Sequence, residues 1–270
     1  MSQSTYHVAA IGNALVDIIA DANDDFLKTH NIAKGGMTLI DTARAEQLYA
    51  AIGPAVETSG GSAANTVAGI ASLGGKAAFM GKVKADQLGT IYRHDLKSIG
   101  VHFATPDSKT SAPTGRCLIL VTPDAERSMN TYLGAAVEFG PEDIDEETLR
   151  NADITYLEGY LFDPPAAKQA FRHAAKIVRA ANRQLALTLS DTFCVERHRA
   201  EFIELIKNDV DILFANENEI LALYKTKDLN QAIASARIHC KIAVTTRSEK
   251  GAIIASGKET VEVPAVPIAK

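Results

Sequence analysis

Asp211-Ile212-Leu213-Phe214-Ala215-Asn216-Glu217-Asn218-Glu219-Ile220-Leu221-Ala222-Leu223-Tyr224 is the stretch on which the fold turns. Residues 211–215 form a short apolar run of strand type, and the polar quartet behind them opens a helical pattern over 216–224. The same alternation extends in both directions. Further strands are predicted at 7–11, 77–81, 154–157, 185–189 and 242–246. Helical patterns cover 42–52, 62–73, 86–99, 141–151, 164–181, 195–207 and 228–237. Ser62 reads as an N-cap, Pro141 and Pro164 suit a first helical turn, and Asp228 can cap the last helix. Alternating strands and helices predict an α/β fold: a doubly wound, mostly parallel sheet with helices on both faces.

The alternation is interrupted at 16–40 and 101–133, which read as β with turns. Within the second, 115–122 and 127–133 flank a Pro123-Asp124 turn and suggest a hairpin. These insertions predict a small β-sheet lid from 15–41 and 101–133, over a core of 1–14, 42–100 and 134–270.

Composition removes several classes of function. A net charge of −5 with no basic block leaves no footprint for nucleic acid or an anionic membrane. No apolar run approaches the ~20 residues of a membrane span, and the start MSQSTYHVAA lacks signal-peptide shape. Cys117, Cys194 and Cys240 are odd in number and widely spaced, so a reduced, cytoplasmic protein is expected. No G-x-G-x-x-G, H-E-x-x-H or G-x-S-x-G occurs, and the histidines show no ligand spacing. The P-loop-like run at 69–76 (GIASLGGK) places its lysine one position late, with Ala77 where a hydroxyl is needed.

Five local features can carry chemistry, and each also has a purely structural reading. Gly60 and Gly61 precede a helix whose first turn holds Asn65; they make either a ligand cradle or a tight turn. Asp17 follows the first strand, where open α/β sheets bind ligands, but a turn aspartate fits equally. Asn216 and Glu219 match a helix dipole, or fix water around Mg²⁺. Thr246 to Gly251 line a nucleotide or close a hairpin onto 252–255. Arg127 either neutralises phosphate or lies on the surface. Arg197-His198-Arg199 reads as a solvated helix face and Cys194 as a small buried residue.

In order, these pieces resemble the ribokinase-type (pfkB) carbohydrate and nucleoside kinase family. The resemblance rests on G-N-x-x-x-D at 12–17, G-G-S-A-A-N at 60–65, and L-G-G-K-A-A-F-M-G-K-V-K-A-D-x-L-G at 73–89. It continues with T-G-R-C at 114–117, N-E-N-E at 216–219 and V-T-T-R-S-E-K-G at 244–251. It implies a ribokinase-like core and lid, ATP and Mg²⁺ as cofactors, and transfer of the γ-phosphoryl group to a primary hydroxyl of adenosine or a related nucleoside or sugar. By the same resemblance Asp17, Gly60, Gly61 and Asn65 hold sugar hydroxyls, and Arg127 stabilises phosphate from the lid. Asn216, Glu219, Thr246 and Gly251 serve the nucleotide, Glu219 reaching Mg²⁺ through water. Ser248 stands where the family carries glycine. The runs 156–162 and 189–194 look most like the adenosine kinase branch, which implies Tyr160 or Phe162 near a purine, with core packing expected for at least one of them. A monomer or a lid-mediated homodimer is expected.

One family element has no counterpart. The D-T-x-G-A-G-D segment, with its anion hole and catalytic base, is absent, and no Gly-Asp pair occurs in the chain. A base is therefore expected beyond Lys270, in a longer kinase. Its alternative is a non-catalytic nucleoside- or sugar-binding member of the same fold.

Overall fold

The computed structural model describes residues 4–267. In chain order it contains β1 (Tyr6–Ile11), β2 (Leu15–Asp21), α1 (Asp24–Thr29), β3 (Met37–Leu39), α2 (Thr42–Ala51), β4 (Ala55–Gly60), α3 (Ser62–Ser72), β5 (Ala77–Met80), α4 (Gln87–Ser98), β6 (Gly115–Val121) and β7 (Arg127–Tyr132). There follow α5 (Glu146–Arg150), β8 (Ala152–Glu158), α6 (Pro165–Ala180), β9 (Gln184–Thr188), α7 (Thr192–Asn208), β10 (Ile212–Asn216), α8 (Glu217–Tyr224), α9 (Leu229–Arg237), β11 (Ile242–Thr246), β12 (Ala252–Ser256) and β13 (Glu259–Val263). The chain divides into two compact units, one of residues 12–143 and one of 1–11 with 144–270.

In the unit of 1–11 and 144–270, strands lie in the order β13-β12-β11-β10-β9-β8-β1. From β1 to β11 all neighbours are parallel, while β12 and β13 add antiparallel. Aliphatic runs such as Leu185-Ala186-Leu187 are buried, as parallel strands require. Helix starts follow their capping side chains. Asp191 accepts from Cys194 N–H, so α7 begins at Thr192, earlier than periodicity alone places it. Asp228 caps α9 as expected. The helix expected at 141–151 is interrupted: Pro141–Asp143 is a single 3₁₀ turn, and α5 starts only after Asp145 accepts from Thr148 N–H.

In the unit of 12–143, a five-stranded sheet has the order β3-β7-β6-β2-β4. The β6–β7 hairpin turns where the Pro-Asp pair predicts, closed by Thr122 N–H to Glu126 O, with Ala125 at φ +66°. Side chains alternate across β2. Val16, Ile18 and Ala20 are buried, and Ala20 and Leu120 pack on Leu27 of α1. Leu118 packs on Ala45 and Leu48 of α2. Asp17 therefore points to the opposite face. Two expectations need correction here. The stretch 16–40 is not all β, because Asn23 accepts from Phe26 N–H and starts α1. Ser62 is not the N-cap: Gly61 takes that position at φ +94°, without a side-chain cap.

Candidate functional site

In β2, Asp17 pairs with Thr58 of β4 and Cys117 of β6. Its carboxyl group lies over the bare Cα of Gly60, where an added methyl carbon would meet Asp17 Cγ at 2.2 Å. Gly61 serves the backbone instead: at φ +94°, a methyl there would sit 2.4 Å from Asn13 O. The two glycines thus do different jobs, one making room for a carboxylate and one turning the chain into α3. Asn65 closes the first turn through N–H to Gly61 O at 2.8 Å and exposes its amide. The diglycine, Asn65 and Asp17 share one corner of this unit.

Burial pushes the Asp17 carboxyl up to about 6, and the positive charge of Arg127 pulls the other way. Arg127 is exposed at the start of β7, on the same sheet face as Asp17 by the β2–β6–β7 register. Cys117 is buried beside Asp17, and burial pushes its thiol up to about 11, which leaves it unreactive. Two of the sequence motifs prove architectural. Asp86 caps α4 through Gly89 N–H and also accepts from Thr114 N–H and Oγ1. A methyl on Gly89 would fall 1.9 Å from Lys84 O.

In the other unit Asn216 and Glu219 form a complete capping box. Asn216 N–H donates to Glu219 Oε2 at 2.8 Å and Asn216 Nδ2 to Oε1 at 2.6 Å, while Glu219 N–H donates to Asn216 Oδ1. Glu219 is buried, and desolvation raises its pKa, with the negative charge of Asp191 adding to the effect against the Asn216 hydrogen bonds. Thr246 is exposed at the end of β11, and Arg247 N–H donates to Gly251 O at 2.7 Å to close the next turn. Gly251 is required by packing, since a methyl there would lie 2.0 Å from Val263 O. Ser248 keeps a left-handed backbone, φ +51°, where the family glycine is expected.

Tyr160 and Phe162, two residues apart, have opposite surroundings. Phe162 is 2% exposed and packs its ring on Phe171, Phe202 and His198. Of the two roles expected for this pair, Phe162 takes core packing rather than a place near a purine. Tyr160 is half-buried; burial and the charges of Asp191, Glu219 and Glu158 all raise its phenol pKa. The solvated reading of Arg197-His198-Arg199 is also corrected for His198, whose side chain is 12% exposed and faces Asp163. The signal was present: Val195, His198, Phe202 and Leu205 recur at spacings of three and four, which places the histidine on the apolar stripe. Cys194 is fully buried, as expected.

Among the described residues no helix is long and apolar enough to cross a membrane, and no group of three or more His, Cys, Asp or Glu is placed to hold a metal ion.

Known proteins share this fold and much of its sequence. Adenosine kinase from Sinorhizobium meliloti superposes with a TM-score of 0.92 at 53% identity, covering 99% of this chain and 82% of that one. A "probable sugar kinase protein" from Rhizobium etli CFN 42 gives 0.91 at 51% identity, covering 98% and 81%. An ATP-dependent ribose-1-phosphate kinase from Halopiger xanaduensis is 33% identical over 167 residues, 62% of this chain; the match spans about half of that kinase, 53% of its length. The model of the pfkB carbohydrate kinases matches residues 29–270. With that family model matching most of its length, the chain belongs to the pfkB family of carbohydrate kinases.

Proposed function

We propose that this protein is an ATP-dependent kinase that phosphorylates a primary hydroxyl of adenosine or a closely related nucleoside. The observation that carries the reading is the Asp17 carboxylate seated over Gly60, directly before the helix that carries the exposed Asn65 in its first turn. An ionised carboxylate accepts from two neighbouring hydroxyls, and an amide can both donate and accept, a pairing suited to the diol of a ribose. With its pKa near 6, Asp17 is ionised at neutral pH, and its displaced hydration leaves it seeking donors. Arg127 supplies a bidentate fork for phosphate oxygens.

Asn216, Glu219, Thr246 and Gly251 are assigned to the nucleotide. A Mg²⁺ ion fits next to Glu219, because a buried carboxylate raised by desolvation and by Asp191 gains from a nearby cation. Both Glu219 oxygens accept from Asn216, so the carboxylate would hold such an ion through water. When bound, the ion neutralises charge on the phosphate oxygens. Nucleoside as acceptor class is supported by the likeness to the S. meliloti adenosine kinase over nearly the whole chain.

Initial rates of γ-phosphoryl transfer from labelled ATP to adenosine, inosine, ribose 1-phosphate and fructose test the reading. Preferential transfer to adenosine supports it. Transfer to fructose alone overturns the acceptor, and nucleoside affinity without any transfer overturns the kinase in favour of a binding protein.

A further inference from the structure

Lys34-Gly35-Gly36 runs into β3, the edge strand beside β7, and all three residues hold the β6–β7 hairpin. Lys34 Nζ meets two carboxylates at 2.7 Å each, Asp24 Oδ1 in the first turn of α1 and Asp124 Oδ2 in the hairpin turn. Asp124 Oδ1 in turn accepts from Thr122 Oγ1 at 2.5 Å. Gly35 N–H donates to Ser128 Oγ at 3.0 Å. The Glu126 carboxylate lies over the bare Cα of Gly35, where a methyl would stand 2.9 Å from Oε2. Gly36 O accepts from Met129 N–H at 2.8 Å.

The residue enclosed by these contacts is Arg127. Its two neighbours, Glu126 and Ser128, both turn toward residues 34–36, and Ser128 is fully buried. Successive side chains of a strand leave opposite faces, so Arg127 is left on the other face, the one that carries Asp17. Against the dominant rise from burial, the Arg127 charge lowers the pKa of both Asp17 and Cys117 on that face. Arg127 is also the last rung of the β6–β7 ladder, opposite Val121. The ladder alone would leave it at a fraying end; the contacts from 34–36 fix the strand on both sides of it. Lys34 and Thr122 hold the Asp124 carboxyl down to about 2, so the tie to the turn stays charged while Asp17 titrates.

We propose that residues 34–36 form a positioning strap for Arg127: tying α1 to the hairpin turn and gripping both neighbours of Arg127, they keep its guanidinium over the Asp17 face. Lys34 is the positioning residue of this strap. The proposal rests on the kinase reading above, in which Arg127 takes phosphate oxygens. A merely structural strap would add stability and leave the electric field at Asp17 unchanged.

The full chain is labelled with isotopic aspartate, and the Asp17 carboxyl resonance is assigned by its loss in Asp17→Asn. The midpoint of its titration is the readout. Arg127→Met should raise that midpoint by roughly 0.5–1.5 pH units, the effect of losing one nearby positive charge. Lys34→Met leaves Arg127 in the chain and should reproduce at least half of the rise, while Lys34→Arg should restore the parental midpoint. Ser128→Ala removes the acceptor of Gly35 N–H and should move the midpoint in the same direction. In an Arg127→Met background, Lys34→Met should add nothing. An unmoved midpoint in Lys34→Met overturns the proposal. An equal rise in the Arg127→Met background overturns it too, because the field would then be that of Lys34 itself. A parent that neither binds nor phosphorylates adenosine overturns the kinase reading alone, since Asp17 still reports whether the strap holds Arg127.

Discussion

Gly60→Ala offers a direct test of the carboxylate-over-glycine arrangement. The new methyl carbon would fall 2.2 Å from Asp17 Cγ and 2.4 Å from each carboxylate oxygen, where ordinary contact begins at 3.4 Å. The carboxylate must therefore retreat by about 1.2 Å or more, enough to break a hydrogen bond to a bound hydroxyl. Hydrogen bonds to a charged group are worth about 1.5–3 kcal/mol, so acceptor affinity should fall roughly 10- to 150-fold. The stability cost should stay below the about 1–3 kcal/mol of an overpacked core, because a half-buried carboxylate can turn toward solvent. The assay is acceptor titration on Gly60→Ala, Asp17→Ala and the double variant. If both act through the same carboxylate, the double variant loses no more than Asp17→Ala alone. Unaltered affinity in Gly60→Ala, or losses that simply add, would refute the reasoning.

Four further outcomes follow from the same structure. Between 3.8 and about 6 the folded chain keeps a proton on Asp17 that the unfolded chain has released, so stability falls as pH rises through that window. Asp17→Asn should accordingly melt higher than the parent at about pH 7.5, with the margin closing near pH 4, and a margin independent of pH would show the shift is not there. In the parent, acceptor binding should weaken as pH drops through about 6. Asn216→Ala removes the Oδ1 cap of α8 and the Nδ2 donor to Glu219 while keeping the backbone donor; thermal unfolding should register a loss of about 0.5–2 kcal/mol, and no loss would mean the side-chain half of the capping box is energetically idle. Ser248→Gly relieves a left-handed residue at φ +51° and should gain up to about 1 kcal/mol in urea unfolding after the greater chain entropy of glycine; a loss would show that the Ser248 side chain has a partner worth more than the strain.

The strands at 185–189 and 242–246 and the helices starting at Asn216 and at Asp228 were legible because their signals are local, an apolar period and a capping side chain, whereas the Asp191 cap that starts α7 was not read. Gly61 could be singled out for the same reason, since only glycine tolerates φ +94° with a carbonyl so close. Elsewhere the decision lay outside the local window. Ala55–Gly60 has little strand character of its own, with all but Gly60 exposed or half-exposed, and becomes β4 by pairing with β2. Tyr160 and Phe162 are equivalent as sequence; Phe202, forty residues on, draws one ring into the core and leaves the other beside Asp191 and Glu219.

By itself the sequence determined the α/β class and the family motifs, and it marked Asp17, Asn65 and the glycine pair as worth watching. Only the tertiary structure decided that Asp17 and Gly60 touch, that Asp86 and Gly89 are architecture, and that His198 is buried. The physical reason is that propensity and capping act within a turn or two of chain. Burial, desolvation and the room left by a missing Cβ belong to pairs of segments that meet only once the sheet has formed.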